Sequence, residues 1–196
     1  MKKKFTAIIL AMLMLSGCGS VDEDIEDNTN QPPEELNMTD YNTFDFDRIS
    51  DNIYYNNDKL ELLSSIKDWN SAYKLEFTSE SEVDGQKIDM ADLYNGEKKI
   101  GSVLLNKDSS DINDEYIYSI TFGNTYEGYT NAKIDDFKIG TDYLDIINRY
   151  GEPEEIQSFD EDKIYYYRKD SGHFVMINLD KDNKVSGISV CCNNYK

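Results

Sequence analysis

Positive charge is what this chain has least of. Its 196 residues carry 20 Lys and Arg against 39 Asp and Glu, a net charge of −19. That excludes a general polyanion binder such as a nucleic-acid protein, because phosphate-rich partners are held by cations and repelled by carboxylates. Histidine occurs once, as His173, and no His/Cys spacing supplies it with zinc-binding companions. Cysteine occurs three times, at Cys18, Cys191 and Cys192, so the folded part has to hold together without long-range disulfides. P-loop, dinucleotide fingerprint, GxSxG and HExxH motifs are all missing, which weakens an enzyme reading. Nor is any apolar run long enough to span a bilayer. Phe5 to Leu15 rises about 16 Å as a helix, roughly half of a hydrocarbon core. What is present is 39% hydrophobic residues with 12% aromatics, too rich for a fully disordered chain and enough for one domain or two small halves sharing a core.

The N-terminus reads as an address. Lys2, Lys3 and Lys4 precede the apolar run, which ends in Leu15-Ser16-Gly17-Cys18. Charge, apolar stretch and small residues in that order make a signal peptide. The last four residues resemble the bacterial lipobox, which implies diacylglyceryl transfer to Cys18 and removal of residues 1–17. The mature chain then has a net charge of −22. With two or three acyl chains on Cys18, each buried CH₂ contributing about 0.8 kcal/mol, it is held stably on the extracytoplasmic face of a membrane.

Residues 18–47 hold ten acids and, until Arg48, no base. With Gly19, Ser20, Asn28, Asn30, Pro32 and Pro33 among them, residues 18–37 read as a disordered acidic tether that cannot bury enough surface to offset its ordering entropy. Its r.m.s. reach is about 25 Å. An acidic patch that recruits a basic partner is the functional alternative.

The remainder divides into residues 38–130 and 131–196. In the first part Asp58 and Glu61 have capping-box spacing, and Leu62, Leu63, Ile66 and Trp69 follow on one helical face, predicting a helix to about Asn70. Four strands are expected next: 72–80, 87–94, 99–105 and 116–122, with Asp84-Gly85 and Asn95-Gly96 as hairpin turns. In the second part Thr141 is the expected cap of a helix carrying Tyr143, Ile146, Ile147 and Tyr150 on one face, stopped by Gly151 and Pro153. Strands at 163–168, 173–179 and 184–191 complete the plan.

The run Ile139-Gly140-Thr141, Tyr143, Ile146-Ile147 and Tyr150-Gly151-Glu152-Pro153, followed by Tyr165-Tyr166-Tyr167, Phe174 to Ile177 and Asp182 to Ile188, resembles one unit of a known superfamily. It includes the β-lactamase inhibitory protein and the small outer-membrane assembly lipoproteins of the SmpA/OmlA type. The specific match covers about residues 134–190, with a weaker copy over 50–123 that lacks Gly-x-Pro. The resemblance implies an α+β fold of two tandem units, each a helical segment followed by a three- or four-stranded antiparallel sheet. It also implies a protein-binding sheet surface, with no catalytic residues.

Among candidate chemical groups, His173 opens a strand and reads as an edge histidine. Cys191 and Cys192 are adjacent, so in an extended strand one thiol points inward and one outward; a vicinal disulfide and a metal or redox site are the alternatives. Asp180-Lys181-Asp182-Asn183-Lys184 begins like a calcium loop but lacks its fifth-position ligand and its glycine. Asp108, Asp111, Asn113, Asp114 and Glu115 form a looser acidic cluster, and both stretches read as solvated turns. No metal or other cofactor is expected. Fifteen tyrosines remain. With period two, Ile164 and Tyr166 share one face and Tyr165 and Tyr167 the other. Tyr165, Tyr167 and His173 are taken as the partner-binding residues of a non-catalytic protein- or peptide-binding module. A small-ligand or wall-glycan binder using exposed tyrosines is the alternative.

Overall fold

A computed structural model describes residues 44–83, 85–159 and 162–193. The expected leader, Cys18 and the expected tether lie outside them. Alternating side chains dominate the body and produce strands. β3 (Tyr73–Val83), β4 (Gln86–Asn95), β5 (Lys98–Asn106) and β6 (Ile117–Gly123) follow one another as an antiparallel meander. β8 (Glu155–Phe159), β9 (Asp162–Arg168), β10 (His173–Leu179) and β11 (Val185–Cys192) form a second one. β6 pairs with β11, so the order is β3-β4-β5-β6-β11-β10-β9-β8 in one eight-stranded sheet.

Helices are few. α1 (Phe46–Ser50) starts on Asp45, whose carboxylate accepts from the Arg48 amide at 3.2 Å. α2 (Tyr143–Tyr150) starts on Asp142, which accepts from the Leu144 amide at 3.1 Å. It ends at Gly151, whose φ of 78° is the left-handed geometry that a residue with a Cβ resists. A small sheet has the order β2-β1-β7, made of β1 (Ile53–Tyr55), β2 (Asp58–Lys59) and β7 (Ala132–Ile134).

Two tandem helix-plus-sheet units are therefore not what forms. The described chain is mostly β, with one continuous antiparallel sheet drawing on both halves and α-helices of only five and eight residues. The predicted helix after Asp58 is absent. Asp58 and Lys59 lie in β2, and the capping box forms later, between Ser65 and Asp68, around the 3₁₀ turn Ile66–Asp68. Thr141 is not the cap of α2, because its hydroxyl accepts from the Lys138 amide instead.

One face of the large sheet makes the core. Ala91, Val103, Ile120, Val190, Val175 and Tyr167 lie in one cross-strand row, and Phe122, Ile188, Ile177 and Tyr165 in the next. All are buried against Phe46 and Ile49 of α1, Ile53 and Tyr55 of β1, Ile134 and Phe137, and Ile146 and Tyr150 of α2. Burying each large side chain contributes about 1.5–3 kcal/mol. Aromatic edges fasten the layers: Tyr150 meets Phe137 at 4.9 Å and Tyr167 at 5.5 Å, while Tyr55 stacks on Phe122 at 6.5 Å.

Candidate functional site

Because side chains alternate, the residues between those core rows face the other way and define a second face. Register places Asp92, Ser102, Thr121, Ser189, Met176, Tyr166 and Glu155 side by side across seven strands, a row about 29 Å long. The neighbouring rows are Met90, Leu104, Ser119, Cys191, Phe174 and Arg168 on one side, and Gly123, Gly187, Asn178, Ile164 and Gln157 on the other. Along β6 and β11 every member is small: Ser119, Thr121 and Gly123, then Gly187, Ser189 and Cys191. The two central strands thus form a narrow floor between taller flanks, with Thr121 half-buried and the other five members buried, and with the bulky Tyr118 of β6 packed at one end of it.

The floor is polar but internally satisfied. Thr121 and Ser189 hydroxyls lie 2.8 Å apart, and the Tyr126 hydroxyl donates to Ser102 at 3.2 Å. On the β9–β10 flank Phe174, Met176, Ile164 and Tyr166 are half-buried. The Tyr166 hydroxyl donates to Gln157 at 3.2 Å, and the Arg168 guanidinium lies 4.8 Å from its ring centre. At one end Ile88, Tyr118 and Cys191 form a small buried apolar cluster against Val83, Leu104 and Phe174.

The residues singled out from sequence land elsewhere. Tyr165 and Tyr167 are 6% and 2% exposed and belong to the core face, so they are not the exposed aromatic stripe. The alternation was legible, but the layer that covers Tyr167, made by Tyr150 and Phe44, was not. Burial lifts the hydroxyl pKa of both above the ordinary tyrosine value. The outward residues of this strand are Ile164, Tyr166 and Arg168. His173 does open β10, but its ring is turned to the core side. Its Nδ1 lies 2.8 and 2.9 Å from the two Asp170 oxygens, and the ring meets the edge of Phe46 at 5.3 Å. Cys18 lies outside the described residues.

Cys192 pairs with His173 across the ladder and Cys191 with Phe174, so the two thiols point to opposite faces, and both are free. Burial pushes the Cys191 thiol up to about 12. Burial and then the Asp47 carboxylate, with Asp170 and Asp51, outweigh Lys169 and raise that of Cys192.

Two further groups of polar residues lie off the second face. A wide polar cleft of about 540 Å³ is lined by Tyr55, Asn56, Asn95, Glu97, Lys98, Glu127 and Asn131. Its one tyrosine is buried, so it is not an aromatic cage. Glu115 is 1% exposed and its Oε2 has no hydrogen-bond partner. Burial first, then the nearby Asp89 carboxylate, raises its pKa to about 7. Asp89 is itself buried and held by Lys107 at 3.2 Å. Among the described residues, no group of three or more His, Cys, Asp or Glu could hold a metal ion. No known protein family, curated protein or solved structure matches the chain.

Proposed function

We propose that this chain is a lipoprotein, anchored through Cys18 on the extracytoplasmic face of a membrane, whose folded body binds a protein or peptide without catalysing a reaction. The anchor rests on the cationic, apolar and Leu-Ser-Gly-Cys order of the first eighteen residues. The observation that carries the binding role is the second face, with its floor of small residues and its flank of half-buried Met176, Tyr166, Ile164 and Phe174. Breadth favours a protein over a small ligand. The row crosses seven strands, whereas a small molecule wants a concave site that encloses most of its surface. Tyrosine and methionine suit such a surface because they give large contact area and tolerate water.

Photocrosslinking in the native host tests this reading. A benzophenone amino acid at Tyr166 or Met176 of the full-length chain is expected to give discrete protein adducts, and one at Glu97 none. Adducts at Glu97 with none at the other two positions would remove the binding role from this face. Separately, Cys18→Ser is expected to move the protein from the membrane to the soluble fraction, and retention would refute the anchor.

A further inference from the structure

Among the described residues the large sheet ends in β3 on one side and β8 on the other, and every edge strand presents backbone N–H and C=O groups to whatever comes near. The two are guarded very differently. β3 runs eleven residues, carries Lys74, Glu76, Glu80 and Glu82, and is broken by a register shift between Phe77 and Ser79. Charges and bulges of this kind keep other strands away. β8 has neither defence. Its register with β9 is unbroken from Glu155–Tyr166 to Phe159–Asp162. Its one charge, Glu155, is occupied by Arg168 at 2.8 Å. Ile156 is 51% exposed and Phe159 39% exposed, and alternation puts them on opposite faces of the strand, where they would flank an added strand on both sides.

We propose that β8 is a receptor edge that takes an extended, cationic segment of a partner protein as a ninth strand. This rests on the protein-binding reading above and adds the partner's chemistry. Charge selects the occupant. Glu152 and Glu154 precede the strand and Asp162 follows it, all exposed. Of the nearby cations, Arg168 is paired with Glu155 and only Lys163, which donates to the neutral Asn183 at 3.3 Å, keeps its charge against these carboxylates. A second copy of the chain fits poorly, since antiparallel pairing centred on Gln157 would set Glu152 against Asp162 of its mate. The chain's own residues 18–47 hold ten acids and no base, so they are repelled as well. An incoming strand rich in Lys or Arg gains main-chain hydrogen bonds along β8 and meets carboxylates at both ends.

The test uses the full-length chain in detergent micelles and two fluorescent decapeptides, one alternating lysine with valine and one alternating glutamate with valine. The basic peptide is expected to bind about tenfold tighter or more, and to slow amide hydrogen exchange at residues 155–159. Ile156→Lys, an exposed change that leaves thermal unfolding in place, is expected to weaken binding about fivefold by like charge and lost apolar contact. Ser158→Pro, which cannot serve a ladder, is expected to weaken it further. Equal binding of the two peptides, protection that avoids 155–159, or unaltered binding by Ile156→Lys would each overturn the proposal. If protection falls instead on 173–179 and 185–192, the edge proposal fails while the protein-binding reading, tested separately by the crosslinks from Tyr166 and Met176, stands.

Discussion

The hydroxyl of Tyr150 donates to Oδ2 of Asp135 at 3.2 Å, joining the end of α2 to the turn after β7. The same oxygen lies 3.3 Å from Arg48 on α1 and 4.0 Å from Arg149 on α2. Asp135 is 6% exposed and takes a φ of 51°. Three elements of the layer under the sheet therefore converge on one carboxylate.

Asp135→Asn isolates that charge, because asparagine has the same shape and tolerates the left-handed backbone. It leaves the Arg48 guanidinium without its carboxylate, while Arg149 keeps Asp136 at 3.1 Å. The expected loss is about 2–3 kcal/mol, below the range for a fully buried pair because the Arg48 and Arg149 side chains keep 27% and 28% exposure. Urea unfolding of the two proteins measures it, and a change under about 0.5 kcal/mol would mean that the convergence adds nothing to stability.

Glu115 gives a pH dependence with a definite sign. Its pKa is raised in the folded chain from 4.5 to about 7, so the charged form is the penalised one. The penalty is complete above pH 7 and disappears as pH falls from there to the unfolded value near 4.5. Glu115→Gln is thus expected to be more stable than the parent by about 2 kcal/mol above pH 7, with the gap closing at acid pH. Parallel denaturation curves between pH 4 and pH 8 check this; a gap that widens on acidification would reverse the assignment.

Gly101 faces a backbone rather than a side chain. A Cβ built there lies 2.4 Å from the carbonyl oxygen of Thr121 on the adjoining β6. The obstacle cannot rotate away, so relief requires β5 and β6 to separate locally. Gly101→Ala is expected to cost about 2 kcal/mol, in the range for overpacked cores. A thermal midpoint equal to the parent's would show that the ladder yields more easily than its hydrogen bonds suggest.

Period-two patterning made seven of the strands readable, with bounds near those observed, and the stop at Gly151 was equally plain. What misled was the stretch from Leu62 to Trp69, whose apolar spacing suits a helix. Its backbone is claimed by β6 instead: the Leu63 amide donates to the Ile117 carbonyl at 2.7 Å, and the Ile117 amide to Ser64 at 3.0 Å. Leu63 has a φ of 58° there, outside any right-handed helix. A partner more than fifty residues away leaves no local trace. The fusion of β6 to β11 is non-local in the same way, since each strand carries the pattern of a sheet member without naming its neighbour. For the candidate site, alternation separated Tyr165 and Tyr167 from Ile164 and Tyr166 correctly. Which pair faces water depends on where α2 and Phe44 settle, and that is a packing outcome.

Tyr166 and Tyr167, adjacent and chemically identical, offer the sharpest comparison of the two faces. Tyr167 is 2% exposed, touches Phe44 and Tyr150, and donates its hydroxyl to the Gly151 carbonyl at 3.0 Å. Truncating it leaves a cavity and an unpaired carbonyl, so Tyr167→Ala is expected to cost about 3–5 kcal/mol. Tyr166 is half-buried on the second face, where water can fill the space it leaves. Tyr166→Ala is expected to cost about 1 kcal/mol, yet to reduce crosslinking from the neighbouring Met176 to a partner. Urea unfolding and crosslink yield, measured on both variants, separate the roles. If Tyr167→Ala left stability unchanged, or if Tyr166→Ala unfolded the chain, the assignment of core and contact faces would be reversed.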